Sequence, residues 1–213
     1  MSTSSPEQPL TIALPKGRLL KRLLTHFDDR GLALSFEDRK LVAEDKERRL
    51  RGFLVKNSDL PTYVIHGIAG LGICGTDVLY ESGYQFLHLM TFSFGRTRMC
   101  LAGKGSETGG SDPNRRLQVA TKFTRFTQDY FHAKGIPVQI IKLDGSVELA
   151  PILGLAPYIV DLVETGETLR ANNLQVIESL KEIEVHLIAN VSFYKLNYHR
   201  INELTDRLRE TNK

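Results

Sequence analysis

Thiols are scarce. Cys74 and Cys100 are the two cysteines in 213 residues, and they form no CxxC pair. That excludes a disulfide framework and points to a reducing compartment, read here as cytoplasmic. Long apolar runs are missing too. None approaches the roughly 18 residues that a membrane-spanning helix needs, so no membrane association is expected. The opening stretch MSTSSPEQPL is polar and lacks the apolar segment of a secretory signal. The histidines, at 26, 66, 88, 132, 186 and 199, never stand at a metal-ligand spacing from one another or from a cysteine. No G-x-x-x-x-G-K-[ST] occurs, which removes the P-loop class. No arrangement suggests a nucleophilic triad, and there is no internal repeat.

What is present is the composition of a folded soluble chain, 41% hydrophobic and 25% charged. Its length allows a real core, in one large domain or two small lobes. A net charge of +3 suits phosphorylated ligands and gives little support for nucleic acid, so no nucleic-acid partner is expected.

Residues 1–9 read as a loose tail. TIALP (11–15) is a short apolar run stopped by Pro15, hence a buried strand. The next stretch sets Leu19, Leu20, Leu23, Leu24 and Phe27 on one helical face, with Gly31 as its stop. EDKERRLR (44–51) reads as a solvated turn or hairpin. GFLVKN (52–57) reads as a strand, followed by a helix with Ser58 or Asp59 as cap and Pro61 in its first turn. LGIC, FLHLMTF and RTRMCLA predict strands, with a short TDVLYESG helix after the first. The stretch 103–114, with four glycines and a proline, is the most linker-like. A second series of strands and helices follows, closing with LQVIESL, EVHLIAN and a terminal helix from about Lys195. Alternating strands and helices predict parallel α/β sheets in two lobes.

Three motifs could carry chemistry. GLGICG (70–75) matches G-x-G-x-x-G, but the HGIA segment before it looks like a helix end where a dinucleotide site requires a strand, and no acid lies near residue 95. Its glycines are read instead as permitting a tight strand and a close-approaching ligand. Lys16-Gly17-Arg18 sits between a strand end and a helix start, where cations oppose the helix dipole unless an anion joins them. ETGET (164–168) follows the strand YIVDLV. Gly166 lets backbone N–H groups converge, and Thr165 and Thr168 add hydroxyls. A phosphate loop and a capped turn use the same residues here, and the local sequence does not separate them.

A wider match does. DLVETGETL (161–169) resembles the phosphoribosyl-pyrophosphate loop of phosphoribosyltransferases. With its lead-in GSVELAPILGLAPYIV it is similar to one family, the ATP phosphoribosyltransferases, the first enzymes of histidine biosynthesis. IALPKGRLL, DRKL, SDLPTYVIHGIAGLGICGTDVL, FGRTRMCLAG and LQVATKFTRFTQDYF match in order along nearly the whole chain. Two positions depart from the pattern: Pro157 stands where the family usually has Asp, and Lys56 where many relatives have Arg.

The resemblance implies two α/β lobes around a cleft that holds the active site, like a periplasmic binding protein (type II). Lobe I would be 1–102 with 186–213, on the ATP side, and lobe II 103–185, carrying the phosphoribosyl-pyrophosphate loop. The chain ends at Lys213, soon after the helix that would close the core, which resembles the short form of the family. That form implies a homodimer and a hetero-oligomer with a regulatory subunit similar to histidyl-tRNA synthetase, the subunit that would confer histidine sensitivity. Tyr194 and Tyr198 are candidate anchors for it.

The implied reaction joins N1 of ATP to C1 of the phosphoribosyl group and expels pyrophosphate. By the same resemblance Thr165, Gly166, Glu167 and Thr168 hold the 5′-phosphate and Asp161 the ribose hydroxyls. Lys16 and Arg18 bind polyphosphate, Arg39 stabilises the leaving pyrophosphate, and Asp77 and Glu148 face the cleft on the ATP side. Asp77 could instead cap its helix, and Glu148 could be a solvated first-turn acid. Mg²⁺ is expected as cofactor, held by substrate oxygens and not by protein side chains. A non-catalytic binding module and a transferase for another base are the competing classes. Turnover with ATP, phosphoribosyl pyrophosphate and Mg²⁺ separates the three.

Overall fold

The computed structural model describes residues 8–105 and 116–209. Most of the tail read over 1–9, and much of the linker-like stretch 103–114, lie outside the described residues.

The chain divides into two units, Met1–Gly95 with Glu184–Lys213, and Arg96–Ile183. In the first unit come β1 (Leu10–Pro15), α1 (Arg18–Asp28), β2 (Val42–Glu44), β3 (Leu50–Val55), a 3₁₀ turn (Asn57–Asp59), α2 (Leu60–Ile65), β4 (Leu71–Gly75), α3 (Thr76–Ser82) and β5 (Leu87–Thr91). The second unit holds β6 (Thr97–Gly103), β7 (Leu117–Thr121), α4 (Thr124–Ala133), β8 (Val138–Lys142), α5 (Leu149–Leu153), β9 (Tyr158–Val163), α6 (Glu167–Ala171) and β10 (Gln175–Ile183). The chain then returns to the first unit as β11 (Val185–Ala189), α7 (Val191–Leu196) and α8 (Tyr198–Arg209).

Each unit has one sheet. The first orders its strands β2-β3-β1-β4-β11-β5, the second β10-β6-β9-β7-β8. Both are mixed, where alternation had predicted parallel sheets. β1 runs parallel to β3 and β4, and β7 parallel to β8 and β9. β11 is antiparallel to β4 and β5, β6 is antiparallel to β9 and β10, and β2 is antiparallel to β3. Parallel neighbours need a crossover connection. The segments carrying α1, α2, α4 and α5 provide one. Strands that arrive by a hairpin or by passage from the other unit run antiparallel.

The unit boundary corrects the sequence reading. It falls at Gly95/Arg96, ahead of the glycine-rich stretch and not within it. RTRMCLA had been assigned to lobe I, but β6 pairs with β9 and β10. An apolar strand does not announce which sheet it will join. The change of composition at 103–114 marks a loop inside the second unit. The return crossing, placed at 185/186, lies at Ile183/Glu184.

The predicted face of α1 is the one that packs. Leu23 and Phe27 are fully buried against Ile12, Leu14, Leu71 and Leu204. The other sheet face gathers Leu60, Val64, Cys74, Val78 and Ile188. In the second unit Cys100, Ala120, Ile159, Val163 and Leu169 form the core. Each buried large aliphatic side chain contributes about 1.5–3 kcal/mol relative to exposure.

The charged run 44–51 forms the β2–β3 hairpin, with one departure from a solvated turn. Asp45 is 2% exposed. Its Oδ1 accepts from the Arg49 and Leu50 backbone N–H groups at 2.6 and 2.8 Å, and its Oδ2 from Arg49 Nε at 2.9 Å. GLGICG is the buried strand β4, as read. Its glycines admit neighbouring side chains where a ligand had been expected: a Cβ on Gly70 would lie 2.0 Å from the Phe193 ring, and one on Gly72 2.7 Å from Val64. Phe193 belongs to α7, which begins ahead of the single terminal helix expected from about Lys195 and is separate from α8. The Asn190 side chain caps α7 by accepting from Phe193 N–H at 3.0 Å. Tyr194 packs on the core and donates to Asn202 Oδ1 at 3.1 Å, so it belongs to helix packing, whereas Tyr198 is half exposed. Among the described residues, no helix is long and apolar enough to cross a membrane.

Candidate active site

In open α/β sheets, ligands bind beyond the carboxyl ends of the parallel strands, where connecting loops diverge. In the first unit β1, β3 and β4 end along one edge. Lys16, Gly17 and Arg18 carry the chain from β1 into α1, and all three are exposed. Gly17 holds φ 103°, open to a residue without Cβ. Lys16 N–H donates to Val55 O at 3.2 Å, joining the tips of β1 and β3. The first turn of α1 has no acidic residue, so its positive end faces cations from its own chain.

Arg39 reaches the same edge by another route. Leu54 N–H donates to Leu41 O at 2.8 Å, which brings the loop before β2 to the carboxyl end of β3. Arg39 has φ 61°, a left-handed conformation uncommon for a residue with a Cβ. Its side chain is 93% exposed and stands 3.8 Å from Asp38, an exposed pair of little energetic weight. Lys56, exposed at the end of β3, keeps a cation on this edge. Beside it, Asn57 Oδ1 is buried with no hydrogen-bond partner among the described residues, which nothing in the sequence signalled.

Asp77 follows β4. The residue preceding α3 is Gly75, so Asp77 lies in the first turn and does not cap the helix. It is 5% exposed, held at the positive end of α3. Thr76 N–H donates to Glu184 O at 2.9 Å and Thr76 Oγ1 accepts from Glu184 N–H at 3.2 Å, which fixes the turn.

The second unit presents the ends of β7, β8 and β9. Gly166 has φ 75° and ψ 9° and directly precedes α6. Thr165 Oγ1 accepts from Glu167 N–H at 3.4 Å, and Arg170 N–H donates to Gly166 O at 3.0 Å. Thr165, Glu167 and Thr168 stay exposed. Asp161 sits in β9, its side chain 23% exposed, and its Oδ1 is buried with no hydrogen-bond partner among the described residues. Burial pushes its carboxyl above the ordinary carboxylate range. The Lys122 ammonium and the Leu162 backbone N–H pull it down, and the charge of Glu148 pushes it up. Glu148 immediately precedes α5 and is half-buried, so it is not a solvated first-turn acid.

Lys122 was missed by sequence reasoning. It follows β7, whose Thr121 pairs with Val160, so the register sets Lys122 beside Asp161. That adjacency is tertiary, and the available signal was a lysine at a strand's carboxyl end. The edge of the second unit therefore brings together Asp161, Glu148, Lys122 and the Thr165–Thr168 loop. The edge of the first holds Lys16, Arg18, Arg39 and Asp77. Pro157 lies at the other end of β9, about 20 Å of strand from the loop. Cys74 and Cys100 are buried, and burial pushes both thiols up, as for small core residues. Among the described residues, no three His, Cys, Asp or Glu side chains are grouped to hold a metal.

Known proteins resemble this chain in sequence and fold. The family described as HisG: ATP phosphoribosyltransferase matches residues 56–210. An ATP phosphoribosyltransferase of Thermoanaerobacter sp. (strain X514) is 44% identical over 204 residues, covering 94% of this chain and 95% of its own, an extent that fits the short form. A solved ATP phosphoribosyl transferase (HisG:HisZ) complex from Thermotoga maritima superposes with TM-score 0.81 at 37% identity, over 94% of this chain and 96% of that one. The periplasmic aliphatic sulphonate binding protein SsuA of Escherichia coli superposes with TM-score 0.58 at 11% identity, over 95% of this chain and 72% of that one. This last likeness speaks to fold alone, and it agrees with a periplasmic-binding-protein-like α/β class. A family match over residues 56–210, with relatives at 37–44% identity aligned nearly end to end, admits one assignment: the chain belongs to the ATP phosphoribosyltransferase family.

Proposed function

We propose that this chain is the catalytic subunit of a short-form ATP phosphoribosyltransferase. It transfers the phosphoribosyl group of phosphoribosyl pyrophosphate to N1 of ATP and releases pyrophosphate, the first step of histidine biosynthesis. The carrying observation is the edge of the second unit, where the left-handed Gly166 loop follows the strand of Asp161, whose buried Oδ1 has no hydrogen-bond partner among the described residues. A 5′-phosphate suits the first and sugar hydroxyls suit the second.

The nucleophile is a nitrogen of the substrate, so the protein's work is positioning and charge stabilisation. Thr165, Gly166, Glu167 and Thr168 hold the 5′-phosphate, and Asp161 accepts from the ribose hydroxyls. As the bond from C1 to pyrophosphate stretches, positive charge grows at C1 and negative charge on the leaving group, as in other glycosyl transfers. Lys16 and Arg18 bind polyphosphate, and Arg39 meets the departing charge. Asp77 and Glu148 serve the ATP side. When bound, Mg²⁺ would be held mainly by substrate oxygens and would supply partial neutralisation of the pyrophosphate charge.

Product formation from ATP, phosphoribosyl pyrophosphate and Mg²⁺ tests this reading, and a folded chain that gives no product refutes it. Arg39→Ala should lower kcat by about 10²-fold with a smaller change in KM, because the leaving-group charge it meets exists mainly in the transition state. Normal kcat with a raised KM would make Arg39 a ground-state binder.

The solved relative is a complex of two kinds of chain. That supports a hetero-oligomer here; our reading adds a partner similar to histidyl-tRNA synthetase, a homodimer of this chain and a cytoplasmic location. Histidine inhibition assayed on the purified chain, with and without that partner, locates the regulatory site. Inhibition of the chain alone would count against this division of labour.

A further inference from the structure

The edge of the second unit sets a cation beside a half-buried acid, just beyond ordinary hydrogen-bond distance. Lys122 Nζ lies 3.7 Å from Asp161 Oδ1. That exceeds the about 3.2 Å limit of an N–H···O hydrogen bond, yet the charges act on each other strongly at this range. The lysine is not loose. Its ammonium sits 4.8 Å from the Phe123 ring centroid. The backbone on either side is clamped by Thr121, whose Oγ1 donates to Val160 O at 2.6 Å and accepts from Phe123 N–H at 2.9 Å. The result is an ion pair in which Oδ1 accepts no hydrogen bond among the described residues and so keeps its acceptor capacity.

The other neighbours of Asp161 do not favour the carboxylate in this way. From α5, Glu148 brings a second negative charge. From β6, the register partner is Cys100, a buried thiol that burial keeps protonated. Within β9, the Leu162 backbone N–H gives partial support. Without Lys122, burial and like charge would both favour the neutral acid. A neutral carboxyl turns one oxygen into a donor and binds sugar hydroxyls less well.

We propose that Lys122 is a positioning residue that acts through Asp161, keeping its carboxylate available to accept from the hydroxyls of the phosphoribosyl group without itself occupying Oδ1. This rests on the reading of Asp161 as the ribose-binding acid.

The test is calorimetric affinity for phosphoribosyl pyrophosphate from about pH 3.5 to about pH 8.5, a range that spans ordinary carboxylate titration and extends well above it. The variants are Lys122→Gln, Lys122→Arg, Asp161→Asn and the Lys122→Gln/Asp161→Asn double. Titration of the ligand's own phosphates is common to all of them and cancels in the comparison. Removing the cation raises the acid's affinity for a proton, so the acid limb of Lys122→Gln should move up by about one pH unit. Its plateau above the limb should stay within about threefold of wild type, and Lys122→Arg should restore the limb. In the Asp161→Asn background, Lys122→Gln should change nothing further. A uniform loss at every pH with an unmoved limb would mean that Lys122 touches the ligand directly, and would overturn the proposal. So would a limb that stays in place with no loss at all. Wild-type affinity in Asp161→Asn would instead remove the ribose reading itself. A weak Asp161→Asn with an unmoved limb in Lys122→Gln leaves that reading standing and removes this one.

Discussion

Gly166→Val should bind ATP as before and lose measurable affinity for phosphoribosyl pyrophosphate. Gly166 has φ 75° at the start of α6. A β-branched residue is strained there by roughly 1–3 kcal/mol, and the loop would relieve the strain by turning its N–H groups away from the phosphate. Crowding is not the cause. A Cβ at this position meets nothing closer than Arg170 Nη1 and Val163 Cγ1, both at 3.7 Å. Gly166→Asn therefore separates the two effects, because Asn tolerates the left-handed region. It should keep a substantial part of the affinity that Val loses. Calorimetry with each substrate on folded variants decides the matter, and a Val variant with unchanged sugar-phosphate affinity would remove the loop from the site.

Asp45→Ala should cost the first unit about 3 kcal/mol, seen as a drop in Tm of roughly 6 °C or more. The substitution strands the Arg49 and Leu50 backbone N–H groups and the Arg49 guanidinium, which all donate to the buried carboxylate. It also loosens a turn in which Arg48 already holds φ 56°. Asp45→Asn should cost less, since one acceptor oxygen survives. Thermal unfolding of both variants checks the order. A Tm within a degree of wild type for Asp45→Ala would mean that the hairpin is held by β2–β3 pairing alone. Because that hairpin follows the loop of Arg39 and leads to Lys56, a functional loss should accompany the unfolding.

Much of this was legible where the signal was local. The apolar face of α1, the stop at Gly31 and the buried strand at 71–75 need only periodicity and glycine. The Thr165–Thr168 segment was legible locally as a strand-to-helix turn, but a capped turn uses the same residues, so its reading as a phosphate loop came from the wider resemblance. What escaped reading was set by neighbours distant in sequence. Nothing in MCLAG tells β6 to join the second sheet, since an apolar strand fits either. Asp45 looked solvated among six charged neighbours in its run (44–51), and its burial follows from two backbone N–H groups that converge on it only once the hairpin closes. Lys122 lies 39 positions from Asp161, across a parallel pairing. The glycines at 70 and 72 were read correctly as sites of close approach, but the approaching groups are Phe193 and Val64.

The strand order has a consequence for synthesis. β11 lies between β4 and β5, so β5 has no sheet partner until the entire second unit has left the ribosome. Until then the first sheet ends at β4, a fully buried strand in the finished fold, with one row of backbone donors and acceptors unpaired. An apolar edge of that kind invites pairing with other chains. The second unit is one continuous stretch, with strands β6 to β10 all inside it, and it can mature as it emerges. The nascent chain therefore carries a completed rear half while its front half waits for a single late strand, and the interval before Val185–Ala189 arrives is when chaperones have the most to protect.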